Sequence, residues 1–428
     1  MRFIFILVLI CFKINLNAQK VLVDKSGFFY LISPIYDFKQ SIVSLTFDDG
    51  YSNQFYIGIP ILKEKNIPAT FYVVTDWIDL NQKNFLLNNI SKDYEIGSHT
   101  VTHPDLVKVG NSVANKELLD SKSFLQNNFG INSGLTMSYP FGIYNSTVKQ
   151  LATNIYLAAR SGIAGYNSLR TLDKYALKIQ SIVEQTEAYM ANSWVDYALE
   201  RNLWLIELIH GINNEGFSPI DSKVLIEHLD YIKTLDDKIW CSTVSNVIKY
   251  IDESKNAKIE CNFCNDTVFK IRINDFMDDN IFDQLLSIRI KVPDNWDSIW
   301  LSNNEKVKTT YYNNSKFILF NALPDNQLLT IRPRLMSVSE KDSGIRLIYL
   351  SANPFNYEII LSLEVLDQKN IDIVLLDMNG KLLIHQEEKA VNGNINLFFN
   401  TSGIKSGVYF LRVSSNGGDY IIKKLVKI

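Results

Sequence analysis

The chain has 428 residues, 46% of them hydrophobic and 12% aromatic, which is enough apolar surface for more than one packed core, so two or three domains are expected. Its 43 basic and 46 acidic residues leave a net charge of -3, which excludes the strong positive field that gathers nucleic acid or anionic membrane. Function has to be read from sites.

In chain order, Arg2 precedes the apolar run Phe3 to Phe12 and a short polar stretch ending in Leu16-Asn17-Ala18, the pattern of a secretory signal peptide over residues 1–18. Cleavage is expected after Ala18, although Lys13 and Leu16 fit the pattern imperfectly. The run is too short to cross a bilayer comfortably, and no later segment has about 18 uninterrupted apolar residues. The processed chain is therefore expected to be soluble outside the cytoplasm, with no transmembrane anchor. Three cysteines follow, Cys241, Cys261 and Cys264. Nothing pairs with Cys261-Asn262-Phe263-Cys264 to complete a metal site, which leaves a local disulfide or two unpaired thiols.

From residue 41 to 251 short β-branched runs alternate with helical patterns, which predicts an α/β fold with a parallel sheet. The predicted strands are Ile42 to Phe47, Ala69 to Val74, Tyr94 to Ser98, Leu135 to Tyr139, Ile155 to Ala159, Leu203 to Ile209 and Lys238 to Val244. Helical spacing marks Gln54 to Lys65, Ser112 to Asn128 and Ser222 to Lys233. A distorted (β/α) barrel, closed or nearly so, fits this alternation, and such barrels carry their chemistry at the C-terminal ends of the strands. Past Glu253 the helices stop. Val268 to Ile273, Leu286 to Val292, Ser298 to Leu301 and Phe317 to Phe320 predict a small β-sandwich over residues 257–334, and a second all-β unit follows over 346–428. In that last unit Asn379-Gly380 and Asn416-Gly417-Gly418 mark hairpins.

Four motifs stand at predicted strand ends. Thr46-Phe47-Asp48-Asp49-Gly50 offers two adjacent carboxylates that project in different directions, one for a cation and one for a substrate. Alone it could be a turn. In Ser98-His99-Thr100-Val101-Thr102-His103-Pro104 two of the chain's five histidines are spaced by four, so a helical turn would put both on one ion. Tyr139-Pro140-Phe141-Gly142 makes a rigid turn that can present a backbone N–H, and His210 closes the apolar strand Leu203 to Ile209. His228, inside a helical pattern, and His385, inside a hairpin, are simplest as structural or exposed residues.

As an ordered set over residues 36–253, together with Pro68-Ala69-Thr70-Phe71 and Trp240, these motifs resemble the polysaccharide deacetylase family, also called carbohydrate esterase family 4 or the NodB-homology domain. The resemblance implies a hydrolase that releases acetate from an acetylated polysaccharide, with Asp49, His99 and His103 binding a divalent ion, zinc or a similar metal. It makes Asp48 the general base, His210 the general acid and the Phe141 N–H an oxyanion donor. Many members carry an arginine where this chain has Ser138; Arg160 at the end of the next predicted strand could supply that charge, or could be a structural residue. The family's acidic partner for the histidine has no clear match. A carbohydrate-binding protein that keeps the fold without turnover is the rival reading, and an amide hydrolase of small molecules a third. Chitin-type, peptidoglycan and acetylxylan substrates all fit.

Ala352-Asn353-Pro354-Phe355, Leu376-Asp377-Met378-Asn379-Gly380-Lys381, Ser406-Gly407-Val408-Tyr409-Phe410 and the Lys-rich strand Ile421 to Ile428 resemble the sorting domain of type IX secretion substrates. That implies handling by outer-membrane secretion machinery and a secreted or surface-attached product.

Overall fold

The structure is a computed structural model that describes residues 22–23, 28–89, 93–265, 267–296, 299–302, 307–312, 314–333, 345–351, 353–365, 369–390, 393–415 and 420–428. The expected signal peptide, Ser298, Ala352 and the Asn416-Gly417-Gly418 turn lie outside the described residues. The chain divides after Pro333 into two compact units.

In the first unit seven parallel strands close into a barrel. They are β1 (Ser41–Asp49), β2 (Ala69–Val73), β3 (Tyr94–Ser98), β4 (Thr136–Ser138), β5 (Ala158–Ala164), β6 (Leu177–Ser181) and β7 (Trp204–Ile209), and β7 returns to pair with β1. β8 (Ile239–Cys241) adds to the first residues of β1. All nine residues of β1 are buried, as expected of a parallel strand covered on both faces. Val43, Leu45 and Phe47 point outward with Leu205 and Ile209 into a core shared with the helices α1 (Ile59–Lys65), α5 (Ala188–Arg201) and α6 (Ser222–Lys233). The other parity faces inward and is polar for much of its height: Trp204 Nε1 donates to Ser44 Oγ at 3.0 Å, and Thr70 Oγ1 donates to Glu95 Oε2 at 2.9 Å. That polar interior leads up to the strand ends.

The expected barrel is present, with local departures. β1 runs on through Asp48 and Asp49, because both keep pairing with Tyr72 and Val73 of β2. Ile155, expected in a strand, ends α4 (Ser146–Ile155): Asn145 Oδ1 accepts from Val148 N at 2.9 Å to start that helix, and Ile155 continues its buried stripe of Val148 and Ala152. β6 was not expected, since only Leu177 and Ile179 alternate with polar residues there. α2 (Leu80–Asn89), α3 (Asn111–Phe129) and α7 (Val244–Asn256) complete the shell with α5.

Beyond α7 two antiparallel sheets share a core around Ile271, Ile288, Trp296 and Ile318. One of them takes in Phe29–Ile32, from upstream of the barrel, which pairs with Leu286–Lys291. Cys261 and Cys264 form a disulfide and Cys241 is a free thiol.

The second unit holds a three-stranded and a four-stranded antiparallel sheet over a core of Leu361, Leu363, Ile373 and Leu411. Lys369–Asp377 and Leu382–Ala390 form the expected hairpin, closed where Gly380 adopts φ 77 and Asp377 Oδ1 accepts from Asn379 N and Lys381 N at 2.8 and 2.9 Å. No described helix in either unit is long and apolar enough to cross a membrane.

Candidate active site

At the C-terminal mouth of the barrel, β1 ends in the adjacent buried carboxylates Asp48 and Asp49. His99 follows β3 directly. Its Nδ1 lies 2.8 Å from the Ser138 carbonyl oxygen, which can only accept, so Nδ1 carries the proton and the Nε2 lone pair is left for another partner. Nε2 stands 3.5 Å from Asp49 Oδ1, and His103 Nε2 stands 3.6 Å from the same oxygen. One ligand atom from each of Asp49, His99 and His103 falls within 4.8 Å of the others. Tetrahedral ligands about 2.0–2.1 Å from a zinc-sized ion are separated from each other by roughly 3.3–3.4 Å, so two imidazoles and a carboxylate already stand near that spacing. The donor set and its spacing fit a divalent cation.

The two histidines do not reach this arrangement through the expected helical turn. Thr100 and His103 have φ of 69° and 60°, in the left-handed region, so the segment is a loop. Asp49 and Phe141 share that conformation at φ 79° and 60°. Left-handed non-glycine residues cost about 1–3 kcal/mol each, and they gather where surrounding contacts hold them. Glu117 on α3 supplies those contacts, accepting from Val101 N at 2.8 Å, from Thr102 N at 2.9 Å and from Thr102 Oγ1 at 2.8 Å. The Thr100 and Val101 carbonyls in turn accept from Thr75 N and Asp76 N at 3.1 and 3.0 Å. Glu117 lies outside every motif, and sequence reading passed over it.

Asp48 faces the barrel interior and is 3% exposed, while Arg160 on β5 is 1% exposed. The Arg160 Nη2 contacts both Asp48 Oδ2 and Ser138 Oγ, and Ser138 Oγ donates to Asp48 Oδ2 at 3.1 Å. Ser138 and Arg160 are register partners on β4 and β5, so a small side chain at 138 leaves room for the guanidinium from the next strand. Asp48 Oδ1 is buried and has no hydrogen-bond partner among the described residues, which leaves it available to water or substrate.

Charge follows from this packing. Burial pushes the Asp48 carboxyl up, but Arg160, His99, His210 and the Ser138 hydroxyl outweigh it and hold it below the usual carboxylate range. Burial and the Asp48 charge push Asp49 up. Burial lowers His99 to about 4 and also lowers His103, so both rings are neutral and able to donate a lone pair.

Phe141 sits in the turn Pro140–Gly142, whose hydrogen bonds run from Gly142 N to Tyr139 O at 2.8 Å and from Ile143 N to Pro140 O at 3.2 Å. Gly142 has φ 68°, and a Cβ there would come within 2.4 Å of the Gly162 Cα, so this turn rests directly on β5. The Phe141 ring is exposed and lies 4.6 Å from that of His103, which is itself 5.5 Å from the ring of Trp77. His210, at the end of β7, is half-buried with Phe217 at 5.2 Å. Among the described residues no carboxylate hydrogen-bonds the His210 ring. Trp77 and Phe217 were also missed; a single aromatic in a loop carries no periodic signal. His228 and His385 lie elsewhere, the first buried against Glu207 and Asn192 at 2.9 and 2.7 Å, the second 2.5 Å from Asp372 in the other unit.

Comparison with known proteins bears on the same regions. Residues 36–159 match the family described as Polysaccharide deacetylase, and residues 352–428 match the Secretion system C-terminal sorting domain. A gellan lyase from a Bacillus species is 26% identical over 326 residues, covering 69% of this chain and 13% of the relative. A chitooligosaccharide deacetylase from Sinorhizobium fredii is 29% identical over 118 residues, covering 27% of this chain and 54% of that protein. The solved Xyl-CE4 domain of a multidomain xylanase from the hindgut metagenome of Trinervitermes trinervoides is 19% identical, covers 49% of this chain and 90% of its own, and superposes with a TM-score of 0.38. The chain spans from 13% to 54% of the length of these curated relatives. A polysaccharide deacetylase domain and a secretion sorting domain are both present in it.

Proposed function

We propose that this chain is a divalent-metal-dependent deacetylase that releases acetate from an acetylated polysaccharide, either an N-acetylglucosamine-containing glycan or acetylxylan, at or beyond the cell surface. The observation that carries the reading is the convergence of Asp49, His99 and His103 beside a second, separately held carboxylate, Asp48. The deacetylase domain supports the substrate class, and the sorting domain, with the signal-peptide pattern of residues 1–18, supports passage through outer-membrane secretion machinery.

Asp49, His99 and His103 would hold the ion, zinc by its donor preference, which supplies a Lewis acid for the acetyl carbonyl and a lowered pKa for water. The rest falls to the chain's own groups. Arg160 and Ser138 occupy Asp48 Oδ2, so Oδ1 accepts the proton of the attacking water as its oxygen bonds to the acetyl carbon. The Phe141 N–H donates to the oxyanion that develops on the former carbonyl oxygen. His210 gives its proton to the departing amine or alkoxide as the C–N or C–O bond breaks, leaving acetate and a free amino sugar or hydroxyl. The contact of Arg160 with Asp48 speaks against the rival binding protein, because a charge buried to hold a base is costly in a site with no turnover.

Acetate release from acetylated chito-oligosaccharide, peptidoglycan fragments and acetylxylan tests the proposal. Release from at least one, lost with chelator and with Asp48→Asn, is expected; glycan binding without release would favour the binding protein.

A further inference from the structure

The side chain of Gln54 has no part in the chemistry just described, yet it is completely buried between the two strands that carry the base and the acid. β1 and β7 pair in parallel from Ile42 and Trp204 up to the rung of Phe47 with Ile209. There the ladder ends, although β1 continues beside β2 as far as Asp49. The next residues along the two strands are Asp48 and His210. Gln54 Nε2 stands in the gap, donating one hydrogen to the Asp48 carbonyl and the other to the His210 carbonyl, the latter at 2.6 Å. A side-chain amide thus replaces the missing rung.

Two features show that the amide is aimed at these carbonyls. Its Oε1 is buried without a hydrogen-bond partner among the described residues, so the group gives up a satisfied acceptor in order to donate twice. Gln54 also opens a single π-helical turn, Gln54–Gly58, before α1, a rare winding that is frequent at functional sites. A methionine would fill the same length and could donate to neither carbonyl.

We propose that Gln54 is a positioning residue that fixes the separation of Asp48 and His210 across the barrel mouth. The proposal rests on the deacetylase reading for what those two residues do. Asp49 has a further anchor of its own, its carbonyl accepting from Val74 N at 3.2 Å. Loss of the amide should therefore misplace the base relative to the acid and leave binding of ion and substrate intact.

The test compares the full-length chain with Gln54→Met and the isosteric Gln54→Glu, all loaded with zinc. The expected result is a fall in kcat of about 100-fold, with KM and zinc affinity within about twofold of the parent, the pattern of a misplaced reacting group. Crystal structures of parent and variants read the geometry without reference to turnover, and the Asp48 to His210 Cα separation should change by at least about 0.5 Å. An unchanged separation overturns the proposal, as does a rise in KM or a loss of zinc that accounts for the whole defect. If both variants fail to fold, Gln54 is a structural residue and the proposal also falls. A parent without activity on any acetylated glycan would defeat the deacetylase reading alone, since the crystallographic comparison would still decide on Gln54.

Discussion

Replacing Arg160 with methionine removes the guanidinium that touches the Asp48 carboxylate while keeping most of the apolar length of the side chain. Both groups are almost fully buried, so the variant leaves a charge without a partner inside the barrel. Breaking a buried pair from one side costs about 3–5 kcal/mol. With a urea slope of roughly 3 kcal/mol/M, the unfolding midpoint of the first unit should drop by about 1–1.7 M. The alternative for Asp48 is to take up a proton. Burial then acts on it with its strongest opponent gone, so its carboxyl rises from below the usual range to above it. The sign is fixed by linkage: in the parent the depressed carboxyl stabilises the fold above the unfolded-state pKa and loses that contribution only as pH falls through its own lower value. In Arg160→Met the stability should instead decline with rising pH across the acid-to-neutral range, and the acid limb of kcat/KM should move to higher pH. At neutral pH the loss of general-base function predicts a fall in kcat/KM of about 100-fold to 10,000-fold. Acetate release and urea titrations at several pH values measure both effects. A variant with the parent's midpoint and kcat/KM within about twofold would refute the idea that Arg160 holds the base.

The loop carrying both histidines should depend on Glu117, so Glu117→Ala, which strands Val101 N and Thr102 N, is expected to weaken zinc binding about 10-fold to 100-fold in a competition titration. Glu253 accepts from Gln284 N at 3.0 Å and is pushed up by burial to about 8 from its ordinary 4.5. Its contribution to stability is complete below the unfolded value of 4.5 and fades as pH rises through about 8, so urea midpoints should fall from acid to alkaline pH and Glu253→Gln should flatten that trend. Trp77→Ala removes an exposed ring beside His103 on which a sugar face can stack, so KM should rise about 2-fold to 10-fold with kcat nearly unchanged.

What the sequence made legible follows from where the physics is local. β1, β2, β3 and β7 are covered on both faces, and their short runs rich in β-branched and aromatic residues announce them within one or two residues. β6, with two inward-packed apolar residues, and Phe29–Ile32, one of whose two partners is more than 250 residues away, offer no local pattern strong enough to read. At the site, Asp48, Asp49, His99, His103, Phe141 and His210 could be singled out because each stands in a short motif at a strand end. Arg160 could be named but not placed, because its contact with Asp48 depends on the register of β4 and β5 and on the small side chain at Ser138. Gln54 acts through backbone groups 6 and 156 residues away and Glu117 through groups 15 to 16 residues away, and nothing in their neighbours along the chain points to those partners. The helical turn expected for His99 to His103 failed for the same reason: its left-handed backbone is imposed by α3 and by the loop after β2.

The most direct measurement is zinc anomalous scattering from crystals of the full chain. One peak is predicted about 2.0–2.2 Å from Asp49 Oδ1, His99 Nε2 and His103 Nε2 together, and its loss is predicted in His99→Ala. Zinc absent from that position, or bound only by Asp372, His385 and Glu387 of the other unit, would contradict the account.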